Sequence, residues 1–182
     1  DVLVLSLGVR ANYWGYNNEV NISPRGGIAY RPRWNEDMLF RLSGGIYIQP
    51  PFYRELRMFD GSLVSPEEAS TQKSYQVVFT HEHKFDPWNR PFIPTSELYY
   101  KYLKDIVPYE VDNIRIRYYA DQKATGYATG IDLRINGEFV KGIESWASLS
   151  FMKTAENIKY YIGADGNILS QTDINNGAEY VN

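Results

Sequence analysis

The sequence predicts an all-β chain of long antiparallel strands joined up and down, and three observations carry that prediction. Apolar residues recur with a period of two, the spacing of a strand with one apolar face. The alternating runs are about 12 residues long, against the five or six usual in globular sheets. The links between them are mostly short at one end and long at the other. Two architectures satisfy this pattern: the wall of a transmembrane β-barrel, and a soluble β-sandwich with one buried and one wet face.

The first run sets Leu3, Leu5, Leu7, Val9, Ala11 and Tyr13 against Val4, Ser6, Gly8, Arg10, Asn12 and Trp14. A second, from about Asn21 to Arg31, places Ile22, Pro24, Gly26, Ile28 and Tyr30 opposite Ser23, Arg25, Gly27 and Ala29. After the turn PRWNED, a third from about Met38 to Gln49 alternates Phe40, Leu42, Ile46 and Ile48 with Arg41, Ser43, Tyr47 and Gln49. Residues 50–73 hold neither period and are expected to form a loop of roughly 24 residues, far above the usual median of about five.

The fourth strand, from about Ser74 to Phe85, puts Tyr75, Val77, Phe79, His81 and His83 on one face; DPWNRP then turns the chain. The fifth, from about Phe92 to Leu103, sets Leu98, Tyr100 and Tyr102 against Glu97, Tyr99 and Lys101, with prolines weakening its start. Within the long link 104–125, NIRIRYY alternates well enough to extend a strand. The sixth strand runs to Ile135, and Asn136-Gly137 is expected to close a two-residue hairpin, because both central positions there need positive φ. The seventh spans about Phe139 to Thr154, and residues 155–182 are expected to form a further surface loop.

The links at 32–37, 86–91 and 136–137 are short, and those at 50–73, 104–125 and 155–182 are long; only Gly15 to Glu19 breaks the order. Outer-membrane barrels sort their connections in this way, with short periplasmic turns and long outer loops. The charges sort as well. Arg10, Arg25, Arg41, Glu97, Lys101, Asp132, Arg134 and Glu144 all lie opposite the apolar face and would point into a lumen. A lipid-facing Arg or Lys at the bilayer midplane costs about 2–4 kcal/mol. Tyr13, Tyr30, Tyr75, Phe85, Phe92 and Tyr102 lie towards strand ends on the apolar face, as interfacial girdles do.

The chain has 182 residues, 43% hydrophobic, with sixteen Tyr, eight Phe and four Trp, a composition that folds. A net charge of −3 gives no basic footprint for nucleic acid. The absence of cysteine removes disulfides and thiolate chemistry. Mean hydropathy is −0.44, and no apolar run is long enough for a transmembrane helix, which leaves alternating membrane strands untouched.

The ordered succession GVRANYW, SPRGGIAYRP, FRLSGGIYIQPPFYREL, ELYYKYLKDIVPY, IRIRYYADQKATGYATGIDLRING and VKGIESWASLSFMKT resembles the barrel of a TonB-dependent outer-membrane receptor over nearly the whole chain. Its more specific pieces are a strand ending in Gln49-Pro50-Pro51 and one with Gly130 and Asp132 near its middle. Such receptors are 22-stranded barrels with a plugged lumen. The resemblance implies that residues 1–182 form about seven strands from the middle of such a barrel. The plug domain and remaining strands would lie outside them, and residues 155–182 would be an extracellular loop. It also implies a non-enzymatic, cofactor-free role in outer-membrane transport of a siderophore, vitamin or glycan. The partners would be lipid, the protein's own plug and remaining strands, the TonB complex and the imported ligand. The alternative is a soluble carbohydrate-binding β-sandwich using Tyr and Trp.

Candidate chemistry is sparse. His81-Glu82-His83 puts two imidazoles on one face of a strand, a spacing unlike the helical HExxH, and an interfacial belt is the better expectation than a metal site. Glu97 with Asp132 or Glu144 could be imagined as a glycosidase pair, but lumen ion pairs with Arg41, Lys101 and Arg134 are the stronger expectation. Ligand contacts are expected from the outer loops, at Gln49, Phe52, Tyr53, Tyr109, Tyr160 and Tyr161, where the alternative is loop-on-loop packing.

Overall fold

The computed structural model describes residues 2–58, 60–112, 114–158, 160–162 and 168–170. Seven strands form one antiparallel sheet in the order β1 (Val2–Trp14), β2 (Glu19–Arg31), β3 (Met38–Gln49), β4 (Gln72–His83), β5 (Phe92–Ile106), β8 (Ala124–Val140) and β9 (Ile143–Asn157). β6 (Tyr109–Asp112) pairs with β7 (Arg115–Tyr118), and β10 (Tyr160–Ile162) with β11 (Ile168–Ser170), as separate two-stranded ribbons. Within NIRIRYY, Arg115–Tyr118 therefore extends neither neighbouring sheet strand and pairs with β6 instead. The sheet is all up-and-down and not closed: β1 pairs only with β2, and β9 only with β8.

Register converts the sequence alternation into two faces, because directly paired residues share a side. The row Leu5, Ile28, Leu42, Phe79, Leu98, Ile131 and Phe151 runs unbroken across all seven strands. This apolar face is open. Leu5 is 63% exposed, Leu7 79% and Val9 74%, and no second sheet covers them among the described residues. A soluble sandwich would shield those side chains beneath a facing sheet, and no such sheet is present among the described residues. Each such Leu or Val left uncovered forgoes roughly 1.5–3 kcal/mol of burial.

The strand ends also shift in a regular way. Leu3, Tyr30, Phe40, His81, Ser96, Leu133 and Leu149 form one paired row. At the short-turn end β2 stops at Arg31, one residue beyond that row, and β4 at His83, two beyond, whereas β8 runs on to Val140. A progressive stagger of this kind is what barrel strands need in order to tilt.

One turn lies elsewhere than the sequence suggests. Asn136-Gly137 does not close the last short link: β8 continues through it, and Lys141-Gly142 makes the turn, with Gly142 at φ +80. Gly137 is instead paired with Phe92, and a Cβ there would meet the Phe92 ring at 2.5 Å. The glycine serves close approach rather than positive φ. Phe92 itself is buried, edge-on to Phe139 at 5.2 Å, and so is not an exposed girdle ring. β4 stops at His83, leaving Phe85 in an isolated bridge to Phe92.

A cluster of buried apolar residues lies outside the sheet's faces. Residues 50–58 and 60–71 fold into turns and an Arg57–Leu63 bridge, and they pack Leu56, Val64 and Ala69 against Trp14, Tyr16, Met58 and Ala120. The Tyr16 hydroxyl donates to the Val64 carbonyl at 2.6 Å. Beneath this cap, Thr71 Oγ1 lies 2.9 Å from Glu19 Oε1 and 3.0 Å from Asn21 Oδ1. A hydroxyl carries one proton and so donates to only one of the two at a time, and among the described residues the buried Asn21 Nδ2 has no hydrogen-bond partner.

Candidate functional site

The polar face divides into two halves along the strands. Towards the long loops, Gly8, Arg25, Gly45, Gln76, Lys101 and Ala128 form one row, with Arg10 and Ser23 in the next. Gly45 leaves room for its partner: a Cβ there would sit 2.9 Å from Arg25 Cγ. The Arg25 side chain therefore lies flat across β3 and its guanidinium rests over the Tyr47 ring, 4.3 Å from the centroid. Arg10 Nε donates to Asn12 Oδ1 at 3.2 Å. Arg10, Asn12, Arg25, Tyr47, Gln49 and Gln72 line a cavity of about 660 Å³ that reaches Pro50 at the base of the cap. Lys73, paired with Asp105 at 3.8 Å, lines it too, and no Asp or Glu among the described residues does.

Towards the short turns both signs mix. Arg41, Thr80, Glu97 and Asp132 share one row, and Glu82, Thr95 and Arg134 the next. Arg41 pairs with Glu82 at 4.0 Å, and Thr80 donates to Glu97 at 3.3 Å. Glu97 and Asp132 stand directly opposite one another, an arrangement that like charges disfavour. The expected ion pairs of Lys101 and Arg134 with Glu97, Asp132 or Glu144 do not form. Lys101 sits over Tyr99 at 5.5 Å, and Arg134 over Trp146 at 5.6 Å while donating to Asn136. Tyr99 in turn lies across Gly130, where a Cβ would meet its hydroxyl at 2.6 Å. Aromatic rings thus hold these two cations in place of carboxylates, and that of Tyr99 lies over a glycine. Glu144 is exposed beside the β8–β9 turn.

The loop candidates do not converge. Gln49 reaches the cavity, whereas Phe52 and Tyr53 are exposed on the cap, with Arg57 5.8 Å from the Tyr53 ring. Tyr109, on β6, pairs its ring with Tyr118 at 6.0 Å. Tyr160 and Tyr161 lie on β10, and their side chains are outside the described residues. On the apolar face His81 stacks on Phe40 at 4.9 Å, and His83 continues the ladder to Phe85 at 6.0 Å. Among the described residues no three His, Asp or Glu side chains are placed to share a metal ion.

Sequence reasoning missed the Arg25–Tyr47 stack and the core under residues 50–71. Register alone brings Arg25 opposite Gly45, and Val64 meets Tyr16 across 48 residues of chain. Fold and site together define an up-and-down antiparallel β-sheet with one apolar face and one charged face. Comparison with family models, curated proteins and solved structures finds no match to this chain.

Proposed function

We propose that this chain is part of the wall of a TonB-dependent outer-membrane receptor and works in the uptake of a scarce nutrient. The observation that carries the reading is the apolar face, continuous across seven strands and uncovered, on a sheet whose two edge strands are open for further pairing. An exposed apolar area of this extent calls for a nonpolar surrounding. Lipid supplies one on that side, and a plugged, hydrated lumen accommodates Arg41, Glu97, Asp132 and Arg134 on the other. The ends of the sheet suit the same placement. Trp34 and Trp88 are 72% and 82% exposed in the short turns, where amphipathic rings sit at a headgroup boundary. In this role the outer cap and the adjoining cavity face the medium from which the nutrient is drawn.

The absence of cysteine makes the test direct, since single cysteines can be spin-labelled in the full-length receptor in lipid bilayers. Leu5→Cys and Leu7→Cys are expected to be accessible to oxygen dissolved in lipid, and Ser6→Cys to a water-soluble nickel chelate. A label at Leu5 and Leu7 that meets water as freely as one at Ser6 removes the reading.

A further inference from the structure

We propose that the cavity beneath the cap binds a polycarboxylate ligand through Arg10 and Arg25. The two halves of the polar face differ in charge in a way the strand architecture does not require. Near the short turns, Arg41 and Arg134 are matched by Glu82, Glu97 and Asp132 in the same two rows. Near the long loops, Arg10, Arg25 and Lys101 occupy two rows in which β1 to β5 contribute no carboxylate. The ion pairs among the described residues are Arg41–Glu82 and Lys73–Asp105, so neither cavity arginine is neutralised by one.

The carboxylates on that side are otherwise engaged. Glu19 is held by Asn17 and Thr71, and Glu55 takes Gln72 Nε2 at 2.9 Å and the Phe52 N–H at 2.7 Å. Glu156 lies across the sheet on β9.

A pair of uncompensated guanidiniums is a fitting receptor for carboxylates, which they take in bidentate geometry. Arg25 is fixed in advance by Tyr47 and by the space above Gly45, which lowers the ordering cost of binding. The amides of Asn12, Gln49 and Gln72 add neutral donors and acceptors around the same volume. About 660 Å³ accommodates a ligand of several carboxylates rather than a single acetate-sized ion. Carboxylates of this kind come from metal chelates of hydroxy acids or from uronic-acid sugars.

The inference rests on the transport reading for the ligand's route, and its test separates the two. The full-length protein, purified in detergent, is titrated with ferric citrate, with an oligogalacturonate tetramer and with a neutral galactan tetrasaccharide. One of the two polycarboxylates is expected to bind, more weakly as salt is raised, and to lose more than tenfold in affinity in the Arg10→Gln/Arg25→Gln variant. Which of them binds identifies the source. Binding of neither, equal binding of the neutral sugar, or an unchanged affinity in the double variant overturns the site. Variants that lower stability in urea yet leave probe affinity unaltered assign the arginines to contacts within the receptor, and this also overturns it. A protein that fractionates with the outer membrane but binds neither probe loses only this inference. One that binds through Arg10 and Arg25 yet fractionates elsewhere loses only the transport reading.

Discussion

The cap formed by residues 50–71 and the sheet below it are built on opposite principles. In the cap, short polar turns enclose a small buried core: Val64 is 3% exposed, Leu56 and Ala69 8% each, and Tyr16 ties the Val64 carbonyl. In the sheet, side chains of the same kind stand uncovered, Leu7 at 79% and Val77 at 46%. The same kinds of side chain are exposed on the sheet and buried in the cap, a contrast that the proposed transport reading explains by lipid against one and water around the other. The cap is organised as a protein in water is, by burying apolar atoms. The strands are held by ladder hydrogen bonds and cross-strand pairs, with their apolar side uncovered among the described residues.

The largest effect is expected from a charge placed on the two faces in turn. Val77 and Val78 are adjacent on β4 and point to opposite sides, Val77 in the row of Gly44 and Tyr100 and Val78 in that of Ser43 and Tyr99. Val77→Arg should cost about 2–4 kcal/mol if lipid covers that face. Val78→Arg, turned to the hydrated side, should cost well under half as much. Urea unfolding of the receptor folded into bilayers measures both. Equal losses would break the comparison, since they would mean that the two faces share one environment.

A smaller and more local effect should follow from thinning the cap core. Leu56→Ala removes a buried side chain from a cluster too small to close over the gap, at about 2–3 kcal/mol, the low end for such truncations. The loss should appear as cleavage of residues 50–71 by an added protease while the strands stay protected, because the cap core packs on the sheet at its long-loop end, against Trp14. Coupled loss of cap and strands would show instead that the cap holds the sheet together.

How much of this comparison was legible beforehand depends on the range of the interaction. β3 was readable to its terminal residues, Met38 and Gln49, since period-two alternation is local and one face is apolar throughout. The partition of charges onto one face was readable for the same reason. Asn136-Gly137 misled because a dipeptide signal speaks for isolated hairpins. Here the space needed by Phe92, more than forty residues earlier in the chain, decides where the glycine goes. The cap core had no periodicity to betray it, and the Arg25–Tyr47 stack required the β2–β3 register, which no single strand contains.

The smallest expected effect tests whether the cap titrates separately from the sheet. At the cap's tip Gly61 takes φ +86, and Asp60 accepts hydrogen bonds from the Ser62 N–H at 2.9 Å and the Ser62 hydroxyl at 2.6 Å. The Ser62 hydroxyl, and then its backbone N–H, hold the Asp60 carboxyl below its ordinary value of 3.8. A depressed carboxylate contributes its stability above the unfolded value and loses it as pH falls through the folded one. Because Asp60 is fully exposed, solvent screens the effect and the change should be slight. A side-chain carboxyl NMR titration should place its midpoint below that ordinary value, and Ser62→Ala should raise it. Asp60→Asn should remove the acid-dependent part of the cap's protease resistance while leaving strand protection unchanged. A midpoint at or above the ordinary value would mean that the tip is not held in this turn. The cap's autonomy would then rest on the Leu56 and Val64 packing alone.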